Sequence, residues 1–78
     1  MTQAQQFRDV LAAQYRELFT TPEYAMAAAR MTPEALATRM TDGLISGAAS
    51  KDGDGIKRTC KALGIKNTYA AIKTYLNG

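Results

Sequence analysis

The stretch "TTPEYAMAAARMTPEALATRM", residues 20 to 40, writes the same helix start twice. Thr21-Pro22-Glu23 and Thr32-Pro33-Glu34 each place a hydroxyl ahead of a proline at the first helical position, followed by an acid in the first turn. A strand tolerates neither proline well, so the middle of the chain is committed to helix on both sides of Met31. A short helix is expected over about residues 22 to 30, and a longer one from Pro33. The echo is not an internal repeat, because repeat units run to about 20 residues or more and about three are needed to share a core.

The flanking segments extend the same pattern. Phe7, Val10, Leu11, Leu18 and Phe19 recur at helical spacing, with Tyr15 on their side, which predicts a first helix over residues 3 to 19 capped by Thr2. After Pro33, Leu36, Met40 and Leu44 fall near one face together with Gly43 and Gly47, a face that a neighbouring helix can approach closely. Turn formers then cluster in "SKDGDG", residues 50 to 55, and a break is expected between about 49 and 55. With abundant alanine, no Trp and few aromatics, the fold class is all-α, a small bundle of four to five helices. At 78 residues it makes a single domain, 1–78, with N-terminal helices over 1–49 and a C-terminal helix pair over 54–77.

Charge divides across the break. Residues 1 to 50 hold four cations and five acids, whereas residues 51 to 78 hold six cations and two acids, so a net −1 is followed by a net +4. Beyond Asp54 every charged side chain is positive: Lys57, Arg58, Lys61, Lys66 and Lys73. Within this segment Ile56, Cys60 and Leu63 lie at i, i+4 and i+7, Gly64 supplies a left-handed helix end, and Ile65 falls in the turn. Asn67 or Thr68 then caps a second helix that buries Tyr69, Ile72 and Leu76. Two helices joined by three or four residues including a glycine have the form of a helix-turn-helix.

The run "CKALGIKNTYAAIKTYL" resembles the C-terminal helix pair of Fis-type DNA-binding proteins of bacteria and phages. Cys60 stands where that family has a small residue, Gly64 matches its turn glycine, Ile65 its buried turn residue, and Tyr69 and Ile72 the apolar positions of its recognition helix. The turn-to-helix spacing is one residue shorter, and the family's long dimer-forming helical region is not matched. The resemblance implies contact with double-stranded DNA, with Lys57, Arg58, Lys61 and Lys66 toward phosphates. Asn67, Thr68, Ala71 and Thr74 complete the expected nucleic-acid-binding set, Asn67 facing adenine and the alanines thymine methyls. No arginine stands on the outward face of the second helix to read guanine. Such modules commonly act as dimers, and the apolar side of the first helix, with Phe7, Val10, Leu11 and Phe19, is the expected interface.

Competing readings of the same residues are concrete. An acid-free basic run is also the pattern of a solvated face, and Gly64 also suits a plain αα-hairpin in a bundle. Tyr69 and Tyr75 are alternatives for stacking on single-stranded bases, or simply core. A different class of function is a non-enzymatic helical protein that binds and modulates a protein partner, steered by its basic face toward an acidic surface.

Catalytic and metal chemistry finds no motif. "DGDG" begins like a calcium loop, but its sixth position is Lys57 and its twelfth Leu63. Without histidine, and with Cys60 the one cysteine, neither a usual zinc site nor a Cys-His pair is available. In "GDGIKRT" the lysine follows the second glycine by two positions, so there is no phosphate-binding loop. The chain is expected not to be an enzyme and to need no cofactor. A lone cysteine, Arg8 and Asp9 in the first ten residues, and the absence of any long apolar run lead to the expectation of a cytoplasmic protein without a membrane span. Regulatory or accessory work in a bacterium, a phage or a mobile element is the setting expected for this size and type of domain.

Overall fold

The first helix starts where its cap is. Thr2 holds extended backbone angles and its hydroxyl accepts the Gln5 N–H at 3.1 Å, opening α1 over Gln3–Leu18. A computed structural model, which describes residues 1–78, continues with a 3-10 turn at Pro22–Tyr24, α2 (Ala25–Arg30), α3 (Pro33–Ser46), α4 (Asp54–Leu63) and α5 (Tyr69–Leu76). The protein is all-helical, as the periodicity predicts.

The two Thr-Pro-Glu starts diverge. Thr32 behaves as expected, its hydroxyl accepting the Ala35 N–H at 3.1 Å at the head of α3. Thr21 caps no helix start. Its hydroxyl donates to the Leu18 carbonyl at 2.6 Å, closing the end of α1, and the turn after Pro22 is a tighter 3-10 turn before α2 begins. Both α2 and that turn bury no residue.

α1 is the hub of the packing, lying against α3, α4 and α5, while α5 also touches α3. Its Phe7 and Leu11 are fully buried and meet Leu44 of α3, Ile56 and Cys60 of α4, and Ile72 and Leu76 of α5 in one core. The expected dimer face is therefore corrected: Phe7 and Leu11 lie inside the protein's own core, and Phe19 packs against its edge. A chain this small draws the large apolar side chains of its longest helix into its own core, Val10, half-buried outside it, excepted. Beside the core Tyr15, Phe19 and Tyr24 form a three-ring cluster with centroids 6.1 Å apart in each pair.

The glycine face of α3 also differs from expectation. Gly47, at φ +86°, ends the helix, so the break opens at 47 rather than about 49. Gly43 admits the returning loop instead of a helix: a Cβ there would lie 2.7 Å from that of Ala49. The Gly43 carbonyl accepts the N–H groups of Ala48 at 2.7 Å and Ala49 at 3.0 Å, which folds the loop back on the end of α3.

Candidate nucleic-acid interface

The basic residues are positioned by α4 and by the turn behind it. Asp54 stands in the first turn of α4, where a carboxylate suits the positive helix end. Gly55 lets the Tyr15 ring lie directly on the backbone, with Cζ 2.9 Å from where a Cβ would be. Ile56, Thr59 and Cys60 point into the core, and the Thr59 hydroxyl is satisfied by the Gly55 carbonyl at 2.8 Å. Lys57 and Lys61, one turn apart, fall on the opposite side and are exposed.

Gly64, at φ +69°, ends α4, and the Ile65 N–H donates to the Cys60 carbonyl at 2.8 Å across that end. The connection runs over Gly64–Thr68, five residues, longer than the three or four expected. The two helices lean on α1 more than on each other. Thr68 is the cap of α5, its hydroxyl accepting the Ala71 N–H at 3.2 Å.

Cations of this segment split into paired and free. Arg58 reaches Glu17 on α1 at 3.5 Å, and Lys51 pairs with Asp52 at 3.1 Å. Its hydrogen bond and charge hold the Asp52 carboxyl below its usual range. Lys73 comes near the end of α3, its Nζ 3.9 Å from where a Gly47 Cβ would be, where a cation suits the negative helix end. Lys57, Lys61 and Lys66 have no carboxylate within 4.0 Å.

Asn67 requires a correction. Its side chain does not face outward: Nδ2 donates to the Lys51 carbonyl at 3.2 Å and lies 3.7 Å from Cys60 Sγ. The amide is drawn inward because the loop after α3 brings an otherwise unpartnered carbonyl beside the turn. Burial raises the Cys60 thiol pKa, and the Asn67 hydrogen bond partly opposes this. Tyr69, expected in the core, is also corrected. It is 44% exposed, accepts the Lys51 N–H at 3.4 Å through its hydroxyl, and lies under Lys51 Nζ at 5.5 Å from the ring centroid. Lys51 is thus clasped by residues on both sides of the α5 cap, a contact across 16 to 18 positions that no local spacing announces.

The expected set therefore divides by location. Lys57 and Lys61 occupy the outer face of α4. Lys66, Ala71 and Thr74 come together along an open groove of about 630 Å³, shared with Ile65, Ala70 and Tyr75. Arg58 lies at the α1 side, and Asn67 and Thr68 are engaged in the fold's own hydrogen bonds. The groove was not read from the sequence; Ala70, Ala71 and Thr74 on one side of a short helix were its only signal.

No group of three or more His, Cys, Asp or Glu side chains gathers in a way that holds a metal ion, and no helix is long and apolar enough to cross a membrane. No family model matches the chain, and neither a curated protein nor a solved structure matches it.

Proposed function

We propose that this protein binds double-stranded DNA through the α4–turn–α5 unit, as a small non-enzymatic regulatory or accessory protein of a bacterium, a phage or a mobile element. One observation carries the reading: Lys57, Lys61 and Lys66 are exposed and unpaired, in a segment beyond Asp54 that holds no acid. Unpaired ammonium groups on one short unit favour phosphate contact, which is electrostatic and indifferent to sequence. Base discrimination is weak in this reading. Asn67 is engaged inward, and α5 offers the groove only Ala70, Ala71 and Thr74 among its outer residues.

The test is a titration with duplex DNA at two salt concentrations, on the native protein and on Lys57→Ala/Lys61→Ala. The double variant should lose affinity for all sequences alike, and its slope of log affinity against log salt should be shallower by about 0.9 per lost contact, or about 1.8 for two. Both residues are exposed, and alanine suits a helix, so the fold should survive. An unchanged slope and affinity sink the reading.

The second reading, a protein that binds and modulates a protein partner, draws on the groove beside Lys66. Its walls of Ile65, Ala71 and Tyr75 with one free cation suit an acidic, partly apolar segment. Absence of DNA binding at low salt favours it.

A further inference from the structure

With α1 used in the core, the large apolar side chain left most exposed within any helix is Met26 of α2, at 71%. α2 packs mainly on its own 3-10 turn and buries nothing. Its inward side is Tyr24, Ala27 and Met31, all half-buried. The outward side is Ala25, Met26 and Ala29, at helical spacing and all exposed, with Pro22 of the 3-10 turn exposed ahead of them. Glu23, in the 3-10 turn, and Arg30, the last residue of α2, are exposed at opposite ends of this segment, and neither takes part in an ion pair of the fold.

The geometry points to a second copy of this chain as the occupant of that face, in a two-fold arrangement with the α2 helices antiparallel. The charge order selects both the partner and its direction. When two identical helices pack antiparallel about a two-fold axis, the start of each lies beside the end of the other. Glu23 of one copy then meets the partner's Arg30, and the partner's Glu23 meets Arg30, with the axis falling near Met26 and Ala27. A parallel arrangement sets Glu23 beside the partner's Glu23 and Arg30 beside the partner's Arg30, and forfeits both pairs. Small residues at Ala25 and Ala29 allow close approach on either side of Met26. This assembly is independent of DNA binding and moves the dimer contact from α1 to α2.

The patch is one short helix, well below the ~800 Å² per partner of a standard interface, so the dimer is weak, with a dissociation constant between about 10 µM and about 1 mM. Sedimentation equilibrium across that range tests it, with circular dichroism to check folding. Met26→Glu, on a helix that buries nothing, should remain folded and monomeric throughout. Glu23→Arg and Arg30→Glu, each turning two attractive pairs into repulsive ones, should each weaken association about 10-fold. The double reversal Glu23→Arg/Arg30→Glu restores the charge order and should recover association to within about 3-fold of the native protein. A native protein that stays monomeric up to about 1 mM overturns the inference. So does a dimer that survives Met26→Glu, or a double reversal that associates no better than the single ones.

Discussion

Replacing Gly55 by alanine sets two effects of opposite sign against each other at one atom. Gly55 lies in the first turn of α4 with a negative φ, so intrinsic preference alone favours alanine by up to about 1 kcal/mol. Against this, the added methyl would run into the Tyr15 ring, overlapping Cε1 and standing only 2.9 Å from Cζ and 3.1 Å from Cδ1. The ring has little freedom to withdraw. It is 3% exposed and stands in the cluster with Phe19 and Tyr24 at centroid distances of 6.1 Å. Relief requires α4 to move off α1 or the cluster to repack, and overpacking of this kind costs about 1–3 kcal/mol. The clash should win, for a net loss of about 1–2 kcal/mol and a fall in Tm of about 5–15 °C for a chain of this size. Thermal and urea unfolding followed by circular dichroism measure it. Gly53→Ser is the control, because nothing lies within 4 Å of a Cβ there and α4 lacks a side-chain cap. That variant should gain a few tenths of a kcal/mol, roughly. If Gly55→Ala proves as stable as the native protein, the close approach of Tyr15 to α4 does not limit packing, and the account of how α4 is seated is wrong.

Asn67→Ala should lower stability by about 0.5–1.5 kcal/mol by orphaning the Lys51 carbonyl, and leave the preference among DNA sites unchanged; a changed preference with unchanged stability would place its amide outside the fold. Thr41 is fully buried and its Oγ1 has no hydrogen-bond partner, so Thr41→Val, of equal shape, should raise the urea midpoint by an amount worth about 1 kcal/mol. Burial raises the Tyr15 phenol above its usual value of 10.0, so the folded form holds its proton where the unfolded chain releases it. That contribution is fully present below pH 10.0 and is lost as pH rises beyond it; unfolding curves should show stability falling there, less steeply in Tyr15→Phe.

The helices and most of the core were legible because they depend on neighbours within a turn or two. Thr2, Thr32 and Gly64 act on backbone groups a few positions away, and Phe7, Leu11, Leu44, Ile56 and Ile72 carry the helical period. Thr21 misled because a hydroxyl between two helices has two backbone partners to choose from, and the Leu18 carbonyl behind it wins. Tyr69 misled because a phenol ring suits core and rim equally, and only the path of the 47–53 loop decides between them. At the candidate interface, the exposure of Lys57 and Lys61 followed from their distance around the helix from Ile56 and Cys60. The contact of Arg58 with Glu17 and the inward turn of Asn67 did not, since each joins residues that only the packing of α1, α4 and the loop brings together.

Because α1 is the element that α3, α4 and α5 all lie against, the order in which the chain is made has consequences for how it folds. α1 leaves the ribosome before any of its partners exist, and one of its last contacts, Tyr75 with Gln6 at 3.0 Å, joins residues 69 positions apart. Closing so long a loop is slow relative to forming the helices themselves, so the nascent chain passes through a period in which Phe7 and Leu11 have only α3 to cover them. During that interval a hydrophobic stripe is open to chaperones and to other nascent chains. Synthesis of residues 47 to 76, at about 5–20 residues per second, sets how long that stripe stays uncovered.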